Sequence, residues 1–258
     1  MNPSPRTTGT ALEDAAELFR KAKRVVVLTG AGMSTPSGIP DFRSEGTGLW
    51  SRDEPMEVAS LSTFRTNPER FFAWFRPLAG QIFHALPNAA HMALAEMERG
   101  GVDQTVITQN IDMLHQKAGS KRVIEMHGTL QTLSCTRCYR RFDSSDFVKR
   151  FIDDGTIPLC LDCNGILKPD VILFGEQLPQ SAVSAAQGAV RNCDLMVVAG
   201  SSLEVLPVAS LPMQAVDRGA HLIVINNSPT YINVRADVVI MDDVAAILPD
   251  IARRALHG

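Results

Sequence analysis

The sequence predicts an α/β fold, a doubly wound parallel sheet with helices on both faces and a small module inserted into it. Three observations carry that expectation. Short β-branched runs lack the alternation of a half-exposed strand: RVVVL (24–28), TVIT (105–108), LMVVAG (195–200), HLIVIN (221–226) and DVVI (237–240). Such runs suit strands buried on both faces. Helical stretches such as NPERFFAWFRPLAG and NAAHMALAEMERG separate them, and strands alternating with helices read as a parallel sheet. Between about Gly128 and Phe174 the rhythm breaks into paired cysteines, a basic CTRCYRR and a Gly/Asp/Pro-rich run.

Length and composition agree with this. The 258 residues, 45% of them hydrophobic, suffice for one large domain with an insertion, burying roughly three quarters of its unfolded surface. A formal net charge of -3 offers no basic field, so neither nucleic acid nor an anionic membrane is an expected partner. No apolar run reaches the ~18 residues of a membrane span. The first residues lack the apolar stretch of an export signal. They read as a loose tail over 1–11, followed by an amphipathic helix with Leu12, Ala15, Ala16, Leu18 and Phe19 on its apolar side. A cytoplasmic, reducing location follows as the default, with a monomer the default assembly. Disulfides are disfavoured there.

Each strand is expected to end in a polar cluster: Thr29-Gly30, Gln109-Asn110-Ile111-Asp112, Gly200-Ser201-Ser202, Asn226-Asn227 and Met241-Asp242-Asp243. In open α/β sheets the ligand crevice lies outside the carboxyl ends of the strands, so these clusters converge on one cleft. The first of them opens the stretch TGAGMSTPSGIPDFRS (29–44), far longer than a simple turn. Gly30-Ala31-Gly32 matches the start of a dinucleotide fingerprint, where glycine lets backbone approach a pyrophosphate. The match is imperfect, because Thr35 stands where a third glycine belongs. Asp41, Phe42 and Arg43 put an acid, an aromatic ring and a cation in one loop, suited to closing over a flat heteroaromatic ring and a phosphate.

Cys135-x-x-Cys138 and Cys160-x-x-Cys163, separated by twenty-one residues, are spaced to bind tetrahedral zinc with four thiolates. Two disulfides are the competing reading, disfavoured by a reducing location. Four protein ligands leave no open position, so the metal is expected to be structural. Cys193 has no partner and reads as a core thiol. Of six histidines, His84, His91, His115, His221 and His257 read as structural. His127 follows the strand-like VIE and directly precedes the cysteine module, between two lobes. Its ordinary pKa suits a general base near neutrality, although position alone leaves a structural role open.

Together these pieces resemble the sirtuin family, NAD-dependent protein-lysine deacylases. The resemblance rests on GAGMSTPSGIPDFRS (30–44), TQNIDMLHQKAG (108–119), EMHG (125–128), the paired CxxC (135–163), ILFGEQLP (172–179), AGSSLEVLP (199–207) and VIN (224–226). It implies a Rossmann-like parallel sheet with helices on both faces plus a small inserted zinc-ribbon module. The Rossmann-like part would cover 12–127 and 175–258 and the module 128–174, with the helical part of the small lobe within 45–85. It implies NAD and a structural zinc as cofactors, and acyl-lysine proteins as substrates. Gly30, Ala31, Gly32 and Thr35 would line the pyrophosphate region, Asp41, Phe42 and Arg43 the cofactor loop, and Gln109, Asn110, Ile111 and Asp112 the nicotinamide half. Gly200, Ser201, Ser202, Asn226, Asn227 and Asp243 would face the ADP-ribose half. Val171, Leu173, Phe174, Gly175 and Glu176 would pair with the substrate backbone as an added strand. His127 and Asn110 would be catalytic. The acyl oxygen would displace nicotinamide from the ribose. His127 would then take a proton through the ribose hydroxyls so that the 2′-oxygen attacks the imidate carbon, and water would complete the reaction, giving free lysine and O-acetyl-ADP-ribose.

Members that prefer acidic acyl groups carry Tyr-x-x-Arg in the helix after the cofactor loop. Here Phe72 and Phe75 align with those positions, and burying an unpaired carboxylate there is costly. Acetyl and longer apolar acyl groups are therefore expected. Two further readings use the same residues: an NAD-dependent oxidoreductase with structural zinc, and a sirtuin-like protein ADP-ribosyltransferase.

Overall fold

The computed structural model describes residues 8–41, 48 and 54–258. Its strands are β1 (Val25–Thr29), β2 (Gln104–Thr108), β3 (Val123–Glu125), β4 (Gly128–Cys135), β5 (Arg141–Asp143), β6 (Leu167–Val171), β7 (Leu195–Ala199), β8 (His221–Ile225) and β9 (Val238–Ile240). Its helices begin with α1 (Thr8–Lys21), α2 (Pro55–Val58), α3 (Leu61–Thr66), α4 (Pro68–His84) and α5 (Ala89–Arg99). They continue with α6 (Leu114–Ala118), α7 (Ser145–Asp154), α8 (Gln180–Asn192), α9 (Leu211–Val216) and α10 (Val244–His257).

Six strands form one sheet in the order β3-β2-β1-β7-β8-β9, every neighbouring pair parallel. The five apolar runs of the sequence all lie in it. Their lack of alternation has a direct cause, because both faces are covered. Val25 and Val27 pack with α1, α5 and α10 residues such as Phe19, Leu94 and Ile251. Val26 and Leu28 point the other way, into a core that includes Ala186 and Val190 of α8 and Leu211 of α9. The period of two that normally separates core from solvent here separates two cores.

The chain order reverses at β1, with β2 and β3 stacked to one side and β7, β8 and β9 to the other. The carboxyl ends of β1 and β7 therefore flank a topological switch point, where the loops diverge and leave a crevice. One boundary differs from expectation. Helix α1 begins at Thr8, inside the stretch expected to be a loose tail through residue 11. Ala11 and Leu12 are both buried, and that burial draws the first turn into the helix.

The chain leaves the large sheet at Glu125 and enters a three-stranded antiparallel sheet, ordered β5-β4-β6, at Gly128. There φ is +78°, and a Cβ would stand 2.1 Å from the Asp170 carbonyl oxygen, so only glycine lets β4 cross β6 this closely. Beside this sheet, α4 and α7 share an aromatic core. Phe71 stacks on Phe75 with ring centroids 5.5 Å apart, and Phe72 meets Phe151 edge-on at 5.4 Å. Helix α4 starts where Asn67 Oδ1 accepts the Arg70 N–H at 3.1 Å and Pro68 occupies the first turn, a favoured pairing. Leu114, Val171 and Leu173 join the same core, which ties this lobe to the strand ends. Among the described residues no helix is long and apolar enough to cross a membrane.

Candidate active site and metal centre

After β1 the chain makes two short 3-10 turns, Ala31–Met33 and Thr35–Ser37, closed by Gly38 at φ +83°. The Gly32 N–H donates to the Gly200 carbonyl at 2.9 Å. A Cβ on Gly30 would lie 2.9 Å from Gly200 O, and one on Gly200 would lie 2.4 Å from Met33 N. The glycines thus let the loops after β1 and β7 pack backbone against backbone, a need of the protein itself and independent of any ligand. Asn88, the N-cap of α5, fastens the first loop from outside. Its Nδ2 donates to Met33 O at 2.9 Å and Ser37 Oγ at 3.0 Å, while its Oδ1 accepts the Ala90 N–H at 2.9 Å.

The loop after β2 supplies the polar floor. Asn110 Nδ2 donates to Gly30 O at 2.9 Å and to Ser34 Oγ at 3.0 Å. Ser34 Oγ passes its own hydrogen to Asp112 Oδ2 at 2.6 Å. Asp112 is 4% exposed, and Oδ1 accepts the Leu114 N–H at 2.9 Å. Burial raises the pKa of Asp112 above the ordinary carboxylate value, and the Ser34 and Leu114 donors offset this only in part. Gln109 Nε2 reaches across the switch point to Ser201 Oγ at 2.8 Å.

His127 sits where the chain passes from one sheet to the other. Its Nδ1 lies 2.9 Å from the Gln109 carbonyl oxygen. A carbonyl only accepts, so Nδ1 carries the hydrogen and Nε2 of the neutral ring keeps its lone pair. Burial lowers the His127 pKa below the ordinary histidine value, and the bond to Gln109 O opposes this in part. The ring is therefore neutral near pH 7, as a base must be.

These groups surround one cavity of about 990 Å³. Its lining includes Gly30, Ala31, Gly32, Thr35, Asp41, Gln109, Asn110, Ile111, Asp112, His127, Gly200, Ser201, Ser202, Asn226 and Asn227. Val171, Leu173, Phe174, Gly175 and Glu176 line its other wall. Asp243 is not among the lining residues. Its Oδ1 accepts the Ala245 N–H at 2.8 Å as the N-cap of α10, exposed to solvent. Phe42 and Arg43 lie outside the described residues. Two sets of lining residues carry no signal in the sequence that sets them apart. One is Ser34; the other is Phe71, Trp74, Leu78 and Ile82 of α4, which with Phe75 form an apolar wall. Phe72, aligned with the acyl site, turns instead to Phe64 and Phe151.

A family model described as "Sir2 family" matches residues 30–207. The chain belongs to the Sir2 family. An Archaeoglobus fulgidus protein named "NAD-dependent protein deacylase 2" is 46% identical to this Sir2 chain over 241 residues, 93% of this chain and 94% of that one. A solved structure described as "Structural Basis for the Mechanism and Regulation of Sir2 Enzymes" matches with TM-score 0.90 at 44% identity, covering 96% of this chain and 98% of the other. A second, "The structure of Sir2Af2 bound to a myristoylated histone peptide", matches with TM-score 0.82 at 40% identity, covering 96% and 97%. Family membership decides against the oxidoreductase alternative.

In this Sir2 chain the four paired cysteines come together, with all four sulfurs within 4.8 Å of one another. Cys135 and Cys163 Sγ are 3.5 Å apart, and Cys138 and Cys160 Sγ are 3.6 Å apart. A disulfide needs about 2.05 Å, whereas four sulfurs each ~2.3 Å from a tetrahedral zinc lie ~3.8 Å apart. The set fits a structural zinc. The backbone N–H of Cys138, and that of Arg137, point at Cys135 Sγ, both at 3.4 Å. They favour the Cys135 thiolate and pull that thiol to about 6, while burial and the neighbouring sulfurs push Cys163 up to about 12. Cys193 behaves as expected of a core thiol, partly buried and pushed by burial to about 11.

Two histidines read as structural form a buried pair behind the floor. The rings of His91 and His115 meet edge-on at 4.8 Å. His115 Nε2 lies 3.0 Å from Thr29 Oγ1. Burial lowers His91 to about 4 and His115 well below the ordinary value, so both stay neutral and serve as packing.

Proposed function

We propose that this cavity carries out NAD-dependent deacylation of protein lysines, with His127 as general base and a preference for apolar acyl groups. The observation that carries the proposal is the neutral imidazole of His127, fixed through Nδ1 to Gln109 O with Nε2 left to accept a proton. Bound NAD would supply an electrophilic ribose carbon and hydroxyls able to receive the acyl group. Asn110 and Asp112, held by Gly30 and Ser34, would orient the nicotinamide half. Ala31, Gly32, Thr35, Gly200, Ser201, Ser202, Asn226 and Asn227 would hold the ADP-ribose half, and Cys135, Cys138, Cys160 and Cys163 the zinc. Residues 171–176 would receive the substrate backbone. The Rossmann-like part is taken as 12–127 with 175–258 and the zinc module as 128–174. The enzyme is read as a cytoplasmic monomer acting on acyl-lysine proteins, without direct contact to nucleic acid.

The α4 wall supports the acyl preference. Phe71, Trp74, Phe75, Leu78 and Ile82 recur at helical spacing along the lining, and the eleven helical steps from Phe71 to Ile82 extend about 16 Å. Arg76 contributes no charge there, because its guanidinium caps α7 at Ile152 O and Asp153 O, 3.0 and 2.8 Å away. No Lys or Arg lines the cavity among the described residues. Each methylene buried against such a wall is worth about 0.8 kcal/mol, which favours long chains and disfavours succinyl groups. Leu78→Trp is expected to lower the ratio of myristoyl-peptide to acetyl-peptide kcat/KM by about tenfold or more, by filling the chamber. An unchanged ratio would refute the chamber assignment. The deacylase reading itself is tested by incubating the protein with NAD and acyl-lysine peptides and following products by mass spectrometry. Release of nicotinamide that does not depend on the peptide would defeat it.

A further inference from the structure

Lys168 lies on β6, between the buried Leu167 and Pro169, with its side chain only 16% exposed. Its ammonium has three N–H bonds to give, and the structure offers three acceptors. They are Val171 O at 2.8 Å, Pro169 O at 3.2 Å and Glu176 Oε2 at 2.9 Å. Glu176, 20% exposed, also accepts the Leu173 N–H at 2.8 Å through the same Oε2. One ion pair therefore grips a carbonyl and an amide two residues apart, on the segment that runs from β6 along the cavity.

The rest of that segment also bonds through its main chain to neighbouring elements. The Ile172 N–H donates to His127 O at 2.9 Å, and the Phe174 N–H donates to Ala59 O at 3.0 Å. The Leu61 N–H returns to Phe174 O at 2.9 Å. These backbone contacts fix one edge of the segment. The ion pair fixes its bend from inside, through charge-assisted bonds between partly buried groups in which each ammonium hydrogen meets an acceptor. Breaking it would leave a partly buried charge without its partner and loosen the hold on both backbone groups.

We propose that Lys168 and Glu176 form a positioning pair that sets the backbone of residues 171–176 for pairing with the substrate peptide. The pair governs peptide affinity and leaves the dinucleotide end of the cavity alone. The inference rests on the deacylase reading above. Lys168 is not among the cavity-lining residues and touches no reacting group, so it acts through the segment.

The test uses the full chain and its Lys168→Met, Lys168→Arg and Glu176→Gln variants. Nicotinamide release gives KM for an acyl-lysine peptide and for NAD separately, and thermal melting checks the fold. Lys168→Met is expected to raise peptide KM about tenfold or more while NAD KM moves less than about twofold, the split that marks lost substrate positioning. Lys168→Arg should recover part of the loss. If Lys168→Met does not fold, Glu176→Gln reads the same split, since its amide oxygen still accepts from Leu173. A folded variant with unshifted peptide KM, or with both KM values raised alike, overturns the proposal. Wild-type protein that shows no peptide-dependent nicotinamide release overturns the deacylase reading with it, whereas active wild type with unshifted variants overturns the pair alone.

Discussion

Replacing His127 with alanine is expected to lower kcat/KM for an acyl-lysine peptide by about 10²-fold or more, the usual worth of the general base proposed here. That loss is about 2.7 kcal/mol of barrier. The residue sits at the joint of two sheets, and its ring is oriented by a backbone carbonyl that the fold cannot move away. Alanine keeps the joint, because Ile172 bonds to the backbone oxygen of residue 127, so the variant is expected to fold. On the proposed reading nicotinamide would leave before His127 is needed as a base, so exchange of labelled nicotinamide should fall much less than deacylation. The pH profile follows from burial, which lowers the pKa of His127. A base with a lowered pKa sheds its proton at lower pH, is competent above that point, and fails as pH falls through it. The acid limb of kcat/KM is therefore expected below the ordinary histidine pKa of about 6.5. Near-normal deacylation by the folded variant would remove His127 from this role.

Stripping the metal, by chelation or by Cys160→Ser, is expected to lower turnover more than tenfold, although no cysteine lines the cavity among the described residues. The module around the cysteines has a very small core of its own, chiefly Leu133, Cys135, Cys160 and Leu167 with Phe142 and Phe147 against it. So little apolar burial cannot hold a three-stranded sheet, and structural zinc supplies about 10–16 kcal/mol in comparable peptides. The consequence reaches the active centre along two strands. Cys135 ends β4 opposite Leu167, and the same strand pair sets Gly128 opposite Val171, next to His127 and the peptide segment. The expected outcome is one zinc per chain in the native protein, and a lower melting temperature with more than tenfold loss of turnover once it is removed. Metal-free protein that melts normally and turns over normally would sink this account.

Much of the site is legible in the order of residues alone. The two CxxC pairs carry their meaning in spacing, because a knuckle is a local turn. Gly30 and Gly32 are legible as places where backbone comes close to something, but not as contacts to Gly200, which lies far along the chain. Asp243 shows the opposite failure. It stands in a strand-end polar cluster like the others, yet its helix begins at the next residue, and capping claims the carboxylate. Trp74, Leu78 and Ile82 cannot be told from ordinary core, since helical periodicity is the same whether a stripe faces side chains or a cavity. Ser34 is hidden for a simpler reason: its partner is 78 residues away.

By itself the chain's order of residues determined the sheet, the helices on both faces and the four-sulfur cluster, since each follows from short-range pattern or fixed spacing. Only the tertiary structure decided which polar groups meet. Strand order brings the ends of β1, β2 and β7 together, so that Gly30 meets Asn110 and Gln109 meets Ser201 across separations of 80 and 92 residues. Which wall of α4 stays unfilled, and which charge turns inward, depends likewise on packing between distant elements, which no local pattern encodes.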